Sequence, residues 1–449
     1  MPESRKHLFL ILICILLGGF SSAQQNVSSP YSRYAFGELN NNGLAAYSGW
    51  GYSSVALADS FLINISNPAS FANIMPHRPI FDIGVGGMFV QSSSQNTSET
   101  SNAIGLRNIT LAFPINQRSG FSFGIVPFSS VGYNMKSVVA EENIGDVTYS
   151  FKGEGGINRL YLGGGYKIVN AKRHTVSLGV RGSYLFGNIL RERKAVFPAY
   201  TGILNTKVKH NTIVSDFLAD FGLQYKMKIK DSIQLSVGIA YNLGADINAR
   251  QEMLAYSFRN TSTEYPLDTI QYIDTISGYM SFPTRLSAGF AYEVLIPRDK
   301  GLNRRLVITG QYDMQNWSQY AEVFGGVTVD DQLKNSSGFG FGIQYTPLVF
   351  EKIPEAKIWQ TASYRIGYRF YSTYLQLNNT QLKQNGISFG LGLPLLNSRS
   401  LSMLNIGGEI GKKGTTENNL LEERYFNLYI GISVSPSNTD GWFHKRKYD

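Results

Sequence analysis

From Pro79 onward the chain alternates between apolar and polar residues, broken at intervals by turn residues. Leu178, Val180, Tyr184 and Phe186 alternate with Ser177, Gly179, Arg181 and Ser183. The same pattern runs through Phe217–Tyr225, Ile233–Asn242, Phe282–Glu293, Leu306–Asp313, Gly338–Tyr345, Ser363–Phe370 and Phe426–Val434. A period of two places alternate side chains on opposite faces of a sheet. Weaker segments fall near 79–92, 104–115, 119–133, 145–154, 156–169, 386–394 and 400–411. About fifteen candidates result, and because single-chain bacterial barrels carry even numbers of strands they predict about 14, with about 12 or 16 as neighbouring possibilities. Several segments exceed the roughly 9–11 residues that cross a bilayer, so some strands should project beyond it. Arg250–Gly278 and Arg191–Lys209 read as outer loops, and Asn170–Arg173 and Lys230–Ser232 as tight turns. Residues 318–333 and 347–359 are longer links on either rim.

Alternating strands also suit a soluble sandwich with its apolar face inward. The number and length of the strands, and Tyr and Phe near their ends, favour a membrane barrel with an aromatic girdle. Composition agrees. Charged residues are 16% and aromatic residues 13%, with 46 Gly, against about 25% charged in an ordinary soluble domain. No downstream apolar run is long enough for a membrane helix. The fold class is therefore all-β: a transmembrane antiparallel barrel spanning 77–436.

The N-terminal part does not alternate. Met1–Ala23 has a basic start at Arg5 and Lys6, an apolar stretch Leu8–Leu17 and small residues Ser21-Ser22-Ala23, the layout of a secretory signal; a retained anchor is the alternative. Cys14, the one cysteine, sits inside the apolar stretch, so the mature chain is expected to have no disulfide, thiolate metal site or cysteine nucleophile. Asn40–Ala72 has no clean period, many small residues and one carboxylate, Asp59, among apolar neighbours. Residues 24–76 read as a plug folded inside the barrel. A short soluble N-terminal domain is the alternative, although about 50 residues bury little core alone. Residues 437–449 form a basic aromatic tail, suited to anionic lipid, a partner or plain exposure.

The net charge is +9, but outside the tail the cations are dispersed, which argues against a nucleic-acid groove. If the apolar face meets lipid, the other face lines a lumen. That face carries Gly179, Gly222, Gly238, Gly338, Gly340, Gly342, Gly390, Gly392 and Gly431, which fits either close approach of another backbone or curvature of the wall. It also carries Arg181, Arg285, Arg365 and Arg369 with Asp220 and Asp313. Arginine suits bidentate carboxylate recognition, so these four are lumen ligand candidates; pairing with each other's neighbours or with the plug is the plainer role.

The layout Gly43-Leu44, Tyr47-Ser48-Gly49, Ala56-Leu57-Ala58-Asp59 and Asn67-Pro68-Ala69 resembles the N-terminal hatch of the FadL/TodX family of outer-membrane transport proteins. Phe113-Pro114-Ile115, Gly124–Pro127, Val131-Gly132-Tyr133 and Leu391–Pro394 look like its Bacteroidetes-type branch. The resemblance implies a 14-stranded barrel whose hatch blocks the lumen, with the Asn-Pro-Ala segment close to an inward kink in an early strand. Substrate is captured outside, reaches a pocket against the hatch and leaves sideways through the wall. Asn67, Pro68, Ala69, Asp59 and Gly49 are the implied gating residues. The chain departs from the family in lacking paired amphipathic outer-loop helices and in continuing past its last strand.

The resulting expectation is passive uptake of hydrophobic or amphipathic small molecules, such as long-chain fatty acids or aromatic hydrocarbons, by a monomer with no cofactor or metal. Outer-membrane lipid and the barrel-assembly machinery are its expected partners, and nucleic acid is not. The alternative is a non-transporting barrel of the same family that serves as scaffold or shuttle for secreted or surface proteins. A general porin fits poorly with a plug and a glycine-lined face. No enzyme is expected, since His77, His174, His210 and His444 stand apart without metal-ligand spacing, and no nucleotide-binding loop occurs.

Overall fold

The computed structural model describes residues 28–40, 43–259, 262–298, 302–329, 333–349, 357–397 and 400–435. The expected signal peptide and basic tail lie outside them. Fourteen antiparallel strands close into a barrel. They are β1 Ile80–Ser93, β2 Ser98–Pro114, β3 Ser119–Glu141, β4 Gly145–Asn170, β5 His174–Val196 and β6 Asn205–Lys230. Then come β7 as Ile233–Asn242 plus Ala245–Phe258, β8 as Asp268–Phe282 plus Arg285–Arg298, and β9 Leu302–Gln315. The set ends with β10 Ser336–Thr346, β11 Ser363–Leu377, β12 Thr380–Asn397, β13 Ser400–Gly414 and β14 Glu422–Val434. β14 pairs with β1, from Val434↔Phe81 to Glu422↔Ser93, and closes the ring.

Two strands are broken in the middle for a local reason. β8 breaks at Pro283-Thr284, where proline has no N–H to give a ladder. Its inner segment pairs with the inner segment of β7, and its outer segment with the outer segment of β7. The rim carrying the turns 115–118, 171–173 and 231–232 also carries the start of β1 and the end of β14, so it faces the periplasm. The link 347–362 lies on this rim, and 316–335 on the other. The latter folds partly as a hairpin, Glu322–Phe324 with Val327–Val329, which pairs with Gly278–Met280 just above the break in β8.

The loops expected at Arg191–Lys209 and Arg250–Gly278 are mostly strand. Only 197–204 and 259–267 are connection. Polar composition suggested loops, but these strand ends stand outside the membrane, where both sheet faces meet water or protein and no apolar alternation is required. β4 and β6 run for 26 residues each. At the outer ends of β5 and β6, Lys194 and Lys207 bind Glu264 at 2.6 and 3.0 Å; the Lys194 hydrogen bond, then that of Lys207, holds this loop carboxyl below the usual glutamate range.

The outward positions of the barrel are apolar and exposed: Phe217 is 71% accessible and Leu162 62%, with Phe341, Ile366 and Ile410 also more than half exposed. A continuous girdle of this kind is the lipid-facing surface of a barrel. No helix among the described residues is long and apolar enough to cross a membrane; the strands do so.

The N-terminal residues from Ser29 run against the inward faces of the strands. Ser29 N donates to Gly132 O at 2.8 Å, and its Oγ donates to Glu423 Oε1 at 2.6 Å, near the outer rim. A 3-10 helix, Ala45–Trp50, then packs on β11–β13, and a second, Pro68–Asn73, on β4–β6. Glycines of the wall make this possible. A Cβ on Gly165 would stand 2.6 Å from Ala72 N, and one on Gly342 2.7 Å from Trp50 O. Gly179, Gly222, Gly238, Gly340, Gly390 and Gly431 likewise face this segment, whereas Gly338 and Gly392 face neighbouring wall residues. Close backbone approach thus accounts for most of the inward glycines. On the segment itself, Gly51 has φ +58° and accepts no Cβ, because carbonyls of Tyr368 and Phe341 close over it.

Two apolar clusters fill the interior. The inner one joins Leu44, Tyr47, Trp50, Ile63, Ile65 and Phe71 of the segment to Tyr161 and Val307 of the wall. The outer one centres on Phe36, which meets Phe128, Phe282 and Tyr320 edge-on at 6.3, 5.7 and 5.8 Å. Gly179→Val should force the Pro68–Ala69 backbone away from β5 and cost about 1–3 kcal/mol by overpacking, read as a lowered urea midpoint in lipid vesicles. Gly182→Val, whose added Cβ meets nothing within 4 Å, is the control; equal midpoints for the two variants would refute the tight approach.

Candidate functional site

Two early neighbours in the wall, β2 and β3, part along most of their length and leave a seam. β2 and β3 pair only from Pro114↔Gly120 to Ile109↔Ile125. Beyond this each strand carries a bulge. The register of β2 against β1 shifts between Gly84 and Val85, with Arg107 as the extra residue. That of β3 against β4 shifts between Pro127 and Ser129, with Phe128 extra. A bulge bends a strand and re-aims its side chains, and Pro127 cannot donate to a ladder.

The N-terminal segment enters this seam. Glu38–Leu39 forms a two-residue strand against Ser129–Ser130. Asn40 N donates to Phe128 O at 3.0 Å, and Asn40 Nδ2 to Ser130 Oγ at 3.1 Å. Higher up, Gly132 N donates to Ser32 Oγ at 3.0 Å. The edge of β3 is therefore taken up by the segment. The facing edge of β2 meets it through side chains: Arg107 Nη1 donates to Asn40 Oδ1 at 3.2 Å, and Ser101 Oγ to Ser28 O at 3.4 Å. Arg107 also lies over the Tyr429 ring, 4.9 Å from its centroid.

Behind the seam is a lumen cavity of about 140 Å³. Its lining includes Glu38, Asn40, Arg107, Pro127, Arg285, Arg369, Lys413, Glu423 and the rings of Tyr52, Trp317, Tyr374, Tyr425 and Tyr429. A void of about 10 Å³ at the seam itself shares Asn40, Arg107 and Pro127 with it and adds Gly43, Leu44, Ile65 and Val126. Such a void holds at most about one water, so the seam is shut in this state.

The predicted site residues are dispersed around this cavity. Asn67 is fully buried. It caps the helix Pro68–Asn73, its Oδ1 accepting from Ala69 N at 3.0 Å, while Nδ2 donates to Val55 O, Leu223 O and Ile239 O at 2.9, 3.1 and 3.2 Å. Pro68 and Ala69 lie on Gly179 and Gly222 of β5 and β6. The Asn-Pro-Ala segment thus sits against β4–β6, and the seam is bordered instead by Asn40, Leu44 and Ile65. Gly49 touches Gly390 of β12. Asp59 receives Arg305 at 3.6 Å, and Arg305 is also held bidentately by Glu293 at 2.8 and 3.0 Å.

Of the four arginines, Arg285 and Arg369 reach the cavity, each with a carboxylate. Arg285 binds Asp313 at 3.0 Å. Arg369 donates to Glu409 at 2.6 Å and to Tyr425 Oη at 3.2 Å, with its guanidinium 4.4 Å from the Tyr52 ring centroid. Arg181 is covered by the segment, bonding Asp220 at 2.6 Å and the Ile65 carbonyl. Arg365 is held by the neutral amides of Gln344 and Asn405, at 2.8 and 3.2 Å. Sequence reading missed Arg107, Lys413, Glu38 and Glu423. Arg107 had a faint signal, since it breaks the alternation of β2 between Leu106 and Asn108. The others needed the fold. Among the described residues no three His, Cys, Asp or Glu side chains gather as a metal site.

The buried charges are coupled tightly enough to test. Asp220 lies against Arg181 and within 4.0 Å of Arg159, and accepts from Asn242. Asp220→Ala leaves two buried guanidinium groups uncompensated and should cost about 3–5 kcal/mol, measured by urea unfolding in lipid; a loss below about 1 kcal/mol, the range of an exposed pair, would show that water reaches the cluster.

A family model described as BamG matches residues 5–449. None of the curated proteins matches the sequence. Among solved structures, a FadL homologue of Pseudomonas aeruginosa aligns with TM-score 0.55 at 13% identity, covering 90% of this chain and 99% of that one. The toluene transporter TbuX of Ralstonia pickettii aligns with TM-score 0.53 at 12% identity, covering 88% and 99%. The toluene transporter TodX of Pseudomonas putida aligns with TM-score 0.51 at 15% identity, covering 90% and 99%. At these identities the likeness is one of fold. Together with the closed ring of strands and its apolar girdle, it identifies an outer-membrane β-barrel. As the model match runs through nearly the whole sequence, the chain belongs to the BamG family.

Proposed function

We propose that this barrel is a channel for hydrophobic or amphipathic small molecules, with residues 28–76 acting as a hatch and the β2–β3 seam as the side exit. The observation that carries the reading is the pair of facing bulges at Arg107 and Phe128, with Glu38–Asn40 lying in the gap between them. The flanking ladders, β1 with β2 and β3 with β4, run on past their single-residue shifts. Here the edge of β3 is held by the two-residue pairing, by Asn40, by Ser29 and Ser32 at Gly132, and by the Glu38–Lys413 ion pair, contacts that open at less cost than a full ladder. The similarity in fold to structures described as toluene transporters supports the same reading.

The cavity in its shut state is smaller than the roughly 300–1,000 Å³ of a usual ligand site. Withdrawal of Glu38–Asn40 would both enlarge it and open the wall. Arg107 is held by an amide and an aromatic face rather than by a carboxylate, which fits it to meet the anionic head of an amphipathic passenger while the tail leaves between Leu44, Ile65 and Val126. Passage of this kind runs down a gradient and needs no nucleotide.

A second reading has its own support. The BamG match points toward the barrel-assembly machinery. The lumen is packed by two apolar clusters, and its charges are largely paired. A filled barrel suits a scaffold that holds or hands on other surface proteins.

One experiment separates the two. In a Cys14→Ser background, Arg107→Cys and Pro127→Cys are bridged across the seam with a reversible bifunctional thiosulfonate, and uptake of labelled oleate and toluene is measured in cells. The channel reading expects uptake to fall on bridging and to return with reductant. Unchanged uptake on bridging and on gene deletion, with an altered set of assembled outer-membrane proteins after deletion, would replace the channel by the scaffold.

A further inference from the structure

We propose that the outward face of β12, β13 and β14, near the outer rim, binds a phosphorylated, acylated glycolipid of the outer leaflet. The inference concerns the lipid side of the wall and does not rest on the channel. Across these strands the register aligns two rows. The lower row is apolar: Ile387, Ile410, Phe426 and Phe89 are successive cross-strand partners. The rings of Phe89 and Phe426 stack at 6.2 Å. One outward position higher, toward the outer rim, Asn385, Lys412, Arg424 and Gln91 are successive partners, and Lys383 stands exposed on β12 just above Asn385. Where the girdle ends, the cations Lys412 and Arg424 thus stand side by side, flanked by the amides Asn385 and Gln91.

A groove of about 880 Å³ runs along these rows, lined by Phe89, Ile387, Ile410, Phe426, Lys412 and Arg424 among others. The side chains of Lys412 and Arg424 are 56% and 73% exposed. One carboxylate stands among the three cations: Glu422 accepts from Arg424 Nε at 3.0 Å and lies 3.9 Å from Lys412 Nζ. The patch remains cationic.

The chemistry selects the occupant. An apolar surface facing lipid has no preference among head groups. Cations placed where acyl chains give way to polar heads do prefer phosphate, arginine by bidentate hydrogen bonds and lysine as a point charge. Their long stems let the charged ends rise to the head-group level. Adjacent strands stand about 4.8 Å apart, so Lys383, Lys412 and Arg424 present spaced charges that one multiply phosphorylated head can bridge and a single phosphodiester cannot. The aromatic and branched row beneath takes the acyl chains. The orientation of the barrel puts the site in the outer leaflet.

The test is native mass spectrometry of the purified full-length barrel with added lipid A or phosphatidylglycerol. Wild type is compared with the triple variant Lys383→Gln, Lys412→Gln, Arg424→Gln, and with Lys412→Gln and Arg424→Gln singly. Heat-modifiable gel migration verifies folding. At roughly fivefold per lost cation at a lipid surface, each single variant should bind lipid A several-fold more weakly and the triple variant roughly a hundredfold more weakly. Should the triple variant fail to fold, the graded loss in the single variants decides. Equal lipid A binding by wild type and variants, tighter binding of phosphatidylglycerol by wild type, or no lipid A complex at all would each overturn the site.

Discussion

Every backbone N–H and C=O within the hydrocarbon layer has to find a partner, because lipid offers none. The rest of this structure follows from that demand. It makes the chain close β14 onto β1, and it makes the early end of the β2–β3 ladder informative. Where β2 and β3 part, the edge of β3 is not left bare. Ser29, Ser32 and the strand Glu38–Leu39 bind it from inside. The N-terminal segment is thus part of the wall as well as part of the filling.

That double role explains how firmly the remainder of the segment is anchored. Asn67 spans from the segment to carbonyls of β6 and β7, Gln311 of β9 accepts from Ser54 N and Val55 N, both at 2.9 Å, and Gly51 N donates to Ser388 Oγ at 2.9 Å. The bonds to Gln311 and Ser388 take up N–H groups of the segment that no ladder satisfies, the means by which irregular chain survives at membrane depth. The lower segment is tied on many sides, and Glu38–Asn40 on few. On the proposed reading, Glu38–Asn40 is the part that would move and the lower segment the part that would stay.

The electrostatics are arranged to the same end. Arg181, Arg285 and Arg305 each meet a carboxylate on the adjacent strand, and Arg369 meets Glu409 two strands away. A buried charge without a partner costs several kcal/mol, so these pairs mainly keep a polar interior tolerable. Arg107 and Arg365 are exceptions, held by amides. Only Arg107 stands at the seam.

Alternation along the chain determined the strand number, the face of each strand that meets lipid and the presence of a non-alternating N-terminal segment, because those properties depend on one face of one strand against a uniform solvent. The small inward residues also announced a second backbone: Gly179 and Gly222 lie where no Cβ fits beside Pro68 and Ala69. The tertiary structure alone decided where the wall parts, which arginines pair with what, and that polar stretches such as Arg250–Gly278 are strands. Pro127 and Arg107 lie 20 positions apart and carry no mutual signal in a linear reading. A bulge becomes a seam only when another bulge faces it, and that depends on register between strands. Likewise Asp59 was legible as a carboxylate in need of a cation, but Arg305, more than 200 residues away, became its partner only through the closure of the ring.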